Sequence, residues 1–448
     1  MGYSSDCHSK NRWISLIVCC HIGVSDMRLM KISSHFVVFI LVAVAGTLEG
    51  HADAVLTPRE LLGKALFFDP GLSTPPGQSC ADCHDPKVGW TGSDQDINLH
   101  GGVYEGAVAT RFGNRKPPAA AYASFSPKFH RDGNGEFVGG NFWDGRATGE
   151  KLGNPAADQA QGPLLNPLEQ NNASPADVCQ KVAASGFAAQ LTGSSYSDLF
   201  TRAFGPGTLA CDNPSDTYDR IALAIAAYEA SREVSSFSSK YDAYLRGKAA
   251  LTKQEKKGLA LFEGKAKCAN CHSTKGVSYA SKFPLFTDFT YVNIGVPRNP
   301  ENPFYQMPSE FNPQGADWVD PGLGGFLAGR ADYAQYAAEN KGKQKVPTLR
   351  NVDKRPSLAY LKAYMHNGAF KSLKEVVHFY NTRDVLADCE HLSHPEPGIN
   401  CWPAAEEAAN VNRTETGDLK LSDEEEDAIV AFLRTLSDGF QLSGPMGD

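Results

Sequence analysis

Cys80-Ala81-Asp82-Cys83-His84 and Cys268-Ala269-Asn270-Cys271-His272 are two copies of one pattern, C-x-x-C-H, in a chain of 448 residues. The spacing brings two thiols and an imidazole to one side of a single turn. Covalent attachment of a c-type haem needs that arrangement: the thiols form thioethers to the vinyl groups and the histidine is the proximal iron ligand. A lone C-x-x-C also suits zinc or a redox dithiol. Two copies, each followed by histidine, point instead to two covalently bound haem c groups. One is held by Cys80, Cys83 and His84, the other by Cys268, Cys271 and His272.

A matching apolar stretch precedes each copy, Gly63-Lys64-Ala65-Leu66-Phe67 and Gly258-Leu259-Ala260-Leu261-Phe262. Each reads as a short helix packed beside its haem motif. Thr57, Pro58 and Glu60 form a helix start with a capping box, and Thr252 with Glu255 repeats the box. A duplicated unit predicts two domains of similar plan. The boundary falls near Gly247, giving residues 55–246 and 247–448. Ile221, Ala224, Ile225 and Tyr228 recur at helical spacing in a stretch from about Thr217 to Leu245. Two further helices are predicted over Ser372–Tyr380 and Ser422–Leu436. Residues 85–175 and 283–325 are rich in Gly, Pro and Asn and read as long ordered loops. Alternating strand patterns are few. The predicted fold is mainly α: two cytochrome c-like domains, each with one covalent haem, and long ordered loops.

The N-terminus reads as a signal segment. Arg28 and Lys31 precede an apolar run, Phe36 to Ala45, and Ala52-Asp53-Ala54 offers an A-x-A cleavage site. The run is too short to span a bilayer comfortably. Residues 1–54 are therefore a targeting segment, with 1–26 readable as an extension upstream of a start at Met27 or Met30. The processed protein is expected to be periplasmic and not integral to the membrane. The net charge is −8, with no Lys/Arg-rich run, which sets nucleic-acid binding aside. Eleven cysteines occur. Three lie in the targeting segment and four in the haem motifs. The remaining Cys179, Cys211, Cys389 and Cys401 suggest disulfides in an exported protein. Proximity favours Cys179–Cys211 and Cys389–Cys401, among the three pairings that four cysteines allow.

Further motifs carry a resemblance. They are Phe142-Trp143-Asp144-Gly145-Arg146, the run Gly162 to Glu169, Val346-Pro347-Thr348-Leu349-Arg350-Asn351, and Tyr364-Met365-His366-Asn367-Gly368. In this order, over almost all of the processed chain, they resemble the bacterial di-haem cytochrome c peroxidases, and more closely the MauG-like branch. The resemblance implies a peroxide-dependent oxidoreductase. Its N-terminal haem reacts with hydrogen peroxide, and its C-terminal haem is six-coordinate and exchanges electrons. High-valent haem iron would then oxidise a protein partner or an electron donor. An ordinary cytochrome c peroxidase, served by a small donor protein, is the alternative enzyme. A non-catalytic electron-transfer cytochrome is the alternative from another class.

Residue by residue, the resemblance places Gln159 and, ten positions on, Glu169 over the peroxide-binding face, with Pro163 beside them. A carboxylate there can carry the proton that peroxide loses from one oxygen and gains on the other. Trp143 matches a tryptophan between the two haems. His100 lies where Met-ligated peroxidases carry a distal histidine; its Gly101-Gly102 setting also suits a loop histidine. Tyr380, 14 residues after His366, stands where those enzymes place an axial Met and MauG-like proteins place Tyr. From spacing alone, Tyr380 completes a core stripe with Leu373, Val376 and Val377. As a ligand, a phenolate would lower the haem potential. The resemblance also implies calcium, held by an Asn side chain and the carbonyls of Leu361 and Ala363. The family's R-N-x-P reads here Arg115-Lys116-Pro117-Pro118, so either Asn114 substitutes or the Lys116 ammonium takes the ion's place. Where MauG carries a surface tryptophan, two residues before its second haem motif, this chain has Ala266.

Overall fold

A glycine in each copy of the repeated stretch decides how closely two helices approach. The computed structural model describes residues 55–276 and 281–442. In it, Pro58–Phe68 packs against Pro214–Ala230, and Lys253–Glu263 packs against Asp423–Arg434. A β-carbon on Gly63 would lie 2.6 Å from the Ala224 carbonyl carbon and 2.9 Å from Tyr228 Cβ. On Gly258 it would lie 2.6 Å from the Ala428 carbonyl carbon and 2.9 Å from Phe432 Cβ. Backbone meets backbone at equivalent places in the two halves, and only glycine permits that approach. Leu62, Ala65, Leu66 and Phe67 are buried by the first pair, and Leu261 and Phe262 by the second.

The predicted capping boxes form at Thr57/Glu60, Thr252/Glu255 and Ser422/Glu425, and Ser372 caps the Leu373–Thr382 helix. The stretch from Thr217 to Leu245 is not one helix. It ends at Ala230 and resumes only over Lys240–Leu245. The intervening Ser231–Ser239 is serine-rich, and serine side chains compete for backbone hydrogen bonds. Ser235 Oγ donates to the Glu229 carbonyl and accepts the Tyr122 amide, while Phe237 turns to a φ of 50°. The chain thereby leaves the helix axis on its way from one apolar core to the other. One core runs from Leu62 to Phe237 and adds Leu285 and Phe289; the other gathers Tyr241 through Leu436.

Strand content among the described residues is three two-stranded sheets of two-residue strands. One of them pairs Tyr291–Val292 with Gln344–Lys345 and sets Lys345 beside the sites below. Residues 85–175 and 283–325 are not loop throughout: the helices Gln95–Leu99 and Pro155–Leu165 lie in the first, and Gly322–Ala328 begins within the second. Both expected disulfides are present, Cys179–Cys211 and Cys389–Cys401. No described helix is long and apolar enough to cross a membrane. The expected signal segment, residues 1–54, lies outside the described residues.

Candidate di-haem site

Cys80–Cys83 is a single helical turn with a capping box from Ser79 and Asp82, and the His84 amide closes it on the Cys80 carbonyl at 3.0 Å. The second motif makes a 3-10 turn, Cys268–Asn270, closed by the His272 amide on the Cys268 carbonyl at 2.8 Å. Both histidines are oriented alike. His84 Nδ1 lies 3.1 Å from the Trp90 carbonyl, and His272 Nδ1 lies 2.9 Å from the Phe286 carbonyl. A neutral imidazole whose Nδ1–H is held by a carbonyl keeps the Nε2 lone pair free for iron. Burial favours that neutral state, pushing both histidines down to about 4.

Each turn faces a cavity. That of the second motif, about 1510 Å³ including its solvent-open mouth, is bordered by Cys268, Cys271, His272, Tyr380, Leu373 and Trp143. That of the first, about 1120 Å³ on the same measure, is bordered by Cys80, Cys83, His84, Gln159, Glu169 and Trp143, with Pro163 at its wall. A third, about 1190 Å³, adjoins it at His84, Gln159 and Trp143 and is edged by Lys116, Lys345 and Lys362. The residues fit a c-type haem at each motif. The four motif thiols are unpaired, while the other four described cysteines are in disulfides. Lys345 brings a buried ammonium to the cavities bonded only to uncharged partners, Ser126 Oγ at 2.8 Å, Asn141 Oδ1 at 3.0 Å and the Gly140 carbonyl. Burial alone lowers it to about 7. A haem held at either motif would bring carboxylates, the kind of anion this ammonium lacks.

The expected residues of the peroxide face come together. Pro155–Leu165 carries Gln159 and Pro163, and the turn after it carries Glu169. Asn166 Nδ2 donates to Glu169 Oε2 at 2.8 Å. Burial raises the Glu169 carboxyl above its ordinary value, with the Asn166 bond and nearby Arg146 opposing. Trp143 borders all three cavities. Its indole N–H donates to the Lys116 carbonyl at 2.9 Å, and its own carbonyl accepts the Lys345 amide at 2.8 Å, which fixes the ring between the two motifs. Tyr380, on Leu373–Thr382, lines the second cavity with the two thiols, and burial and those thiols push its phenol up. Val376 and Val377 line the same cavity, so the apolar stripe faces the haem space itself.

His100 is not brought to the first cavity. It caps Gln95–Leu99 and is half-exposed, with Nδ1 3.3 Å from Glu301 Oε1 and Nε2 3.7 Å from Asp96 Oδ1. Asn114 borders the first cavity. Ala266 is buried in the second. Glu229 and Lys345 escaped the sequence reading. Glu229 follows Tyr228 in a helix of ordinary pattern, yet its carboxyl edges the first cavity, where burial raises it to about 8. Lys345 carried one signal, its place directly before Val346-Pro347.

A di-haem cytochrome c peroxidase family model matches residues 57–250. The methylamine utilization protein MauG of Paracoccus denitrificans (strain Pd 1222) is 38% identical over 404 residues, 89% of this chain and 93% of that protein. The chain belongs to the di-haem cytochrome c peroxidase and MauG family. As a member it is an enzyme, an oxidoreductase acting on peroxide. Peroxidases outside the MauG group match as well. Cytochrome c551 peroxidase of Nitrosomonas europaea is 30% identical over 321 residues, 70% of each chain. The crystal structure of the diheme peroxidase BthA from Burkholderia thailandensis E264 superposes with a TM-score of 0.66 at 33% identity, covering 85% of this chain and 86% of that one.

Proposed function

We propose that this family member works in the MauG-like manner, with two covalent haem c groups acting as one oxidising unit toward a protein partner in the periplasm. The observation that carries the reading is the place of Trp143, which borders the cavity of each C-x-x-C-H motif. Bound at His84 and His272, haem iron supplies peroxide activation and one-electron transfer. The chain's residues supply the rest. Asn166 occupies Glu169 Oε2, which leaves Oε1 to take the proton from one peroxide oxygen and return it to the other. The raised carboxyl suits a group that must both accept and release a proton. Gln159 orients peroxide through its carboxamide, and Pro163 narrows the face against bulkier ligands. The Trp143 indole divides one long electron step into two short ones. Tyr380 supports the MauG-like reading over the ordinary peroxidase, since a tyrosyl oxygen at that position favours oxidised iron where Met favours reduced. A plain electron carrier has no use for Glu169 and Gln159 at the open face. Ala266 stands where MauG carries a surface tryptophan, so the partner exchanges electrons with this chain by another route.

The test is Trp143→Phe, followed by stopped-flow absorbance of both haems after peroxide addition. The first haem should respond at the parent rate, and the second at least tenfold more slowly. Equal responses of both haems in the variant would overturn the reading.

A further inference from the structure

The family resemblance implies calcium at the seam between the two haem-bearing halves, and the residues here do not fit that ion. Lys116 occupies the asparagine position, its ammonium buried and 2.8 Å from Thr91 Oγ1 and 3.0 Å from the Pro117 carbonyl. Asn114 does not replace it: the residue borders the first haem cavity, and its carbonyl accepts from the Asn302 side-chain Nδ2 at 3.1 Å. The Leu361 carbonyl already faces the Asn98 amide nitrogen at 3.5 Å. Calcium takes six to eight oxygens, mostly carboxylate, carbonyl and water. An ammonium donates but cannot ligate, and it repels a divalent cation at short range.

Two more ammonium groups lie on the same seam. Lys362 Nζ is 2.8 Å from the Val88 carbonyl, 3.0 Å from that of Lys354 and 3.4 Å from that of Asn351. Lys371 Nζ is 2.7 Å from the Gly368 carbonyl, 2.8 Å from that of Asn98 and 2.9 Å from that of His100. Each has three donors and three carbonyls to receive them, drawn from both sides of the seam. Residues 88–100 follow the first haem motif, and residues 351–371 follow the second. The Lys116 amide adds a strand-like tie of 2.7 Å to the His366 carbonyl. None of the three ammonium groups pairs with a carboxylate among the described residues; their bonding partners are carbonyls and the Thr91 hydroxyl.

We infer that Lys116, Lys362 and Lys371 replace calcium, so that built-in ammonium ions are the cations joining the two halves and the protein is calcium-independent. The inference rests on family membership and on these contacts, and it stands whether or not the partner reading above holds.

The test uses the di-haem holoprotein, exposed to millimolar calcium, desalted, and measured by elemental analysis and thermal melting with and without EGTA. The expected result is no stoichiometric calcium and an EGTA-insensitive melting temperature. Lys116→Asn restores the ligand type, and is expected to retain about one calcium per chain and to melt lower in EGTA. Lys362→Met, which leaves the Val88 and Lys354 carbonyls without their donor, should melt about 3–8 °C lower with calcium unable to restore it. Stoichiometric calcium in the parent protein, lost to EGTA with a fall in melting temperature, would overturn the inference. If Asn98→Ala also abolished that calcium, the ion would sit on the Asn98 carboxamide, whose Oδ1 has no partner in the structure. A Lys362→Met protein that melts with the parent would equally overturn it. Should that variant fail to fold, the parent's calcium content and EGTA response still decide.

Discussion

Replacing Gly258 by Ala sets two opposed effects against each other. Alanine is the better helix former by about 1 kcal/mol in a helix interior, and Gly258 sits inside Lys253–Glu263. The new methyl, however, would lie 2.6 Å from the Ala428 carbonyl carbon and 2.9 Å from Phe432 Cβ. Carbon atoms pack at about 3.5–4.0 Å, and the methyl would lie closer still to the Ala428 carbonyl oxygen, so the two helices must separate by more than about 1 Å. What blocks the methyl is backbone, which cannot swing aside. Overpacking of this kind costs about 1–3 kcal/mol and occasionally more, and a rigid neighbour puts it at the upper end. The expected net loss is about 2 kcal/mol, or about 4–8 °C in melting temperature. Gly63→Ala should behave alike, because Ala224 and Tyr228 repeat the geometry. Gly186→Ala, where nothing lies within 4 Å, is the control and should be neutral or slightly stabilising. Thermal melts of the holoproteins by far-ultraviolet circular dichroism read all three. If Gly258→Ala melted at or above the parent, the close helix crossing, and with it the duplicated plan of the two halves, would be refuted.

Three further expectations follow from the site and the disulfides. Glu169→Gln should keep both haems and slow the peroxide reaction by about 10²–10⁴-fold in stopped-flow measurements, the usual size of a general acid–base effect. The parent rate should also rise with pH through a range above the ordinary carboxylate value, because burial keeps the Glu169 proton on and only the ionised form can accept one from peroxide. The same burial costs folding stability as pH rises, since the unfolded chain ionises this group first, and the pH dependence of the rate should flatten in Glu169→Gln. Breaking Cys179–Cys211, which closes a loop with a sequence separation of 32, should cost roughly 3–4 kcal/mol on the chain-entropy account; an unchanged denaturation midpoint in Cys179→Ser/Cys211→Ser would contradict that bond's contribution.

What the sequence made legible was local. A C-x-x-C-H motif encodes its own turn, a Thr-x-x-Glu box its own helix start, and two cysteines close in sequence their own bridge. The site's long-range parts were legible only through resemblance, because nothing in the spacing of Trp143 relative to Cys80 or Cys268 says that one indole borders both cavities. The apolar stripe ending at Tyr380 looked like core because haem-facing and core-facing positions on a helix are both apolar. The break after Ala230 hid because Ile221, Ala224, Ile225 and Tyr228 keep helical spacing up to the break, and the serines beyond it act through partners such as Tyr122, far away in sequence. The close packing at Gly63 and Gly258 was equally silent, since a helix-interior glycine reads first as a weakness. Burial of Lys116, Lys345 and Lys362 depends on the whole fold, and a lysine in a loop otherwise reads as solvated.

In the mechanism proposed for this chain the two haems act together, and Tyr380, unlike Met, lets them do so from the fully oxidised state. The direct measurement mixes peroxide with fully oxidised protein in the absence of any donor and records the absorbance and electron paramagnetic resonance of both haems. A change at both haems without prior reduction is expected, with its loss or alteration in Tyr380→Met. Reaction of the half-reduced protein alone, with the fully oxidised protein inert to peroxide, would contradict it and make this chain an ordinary cytochrome c peroxidase.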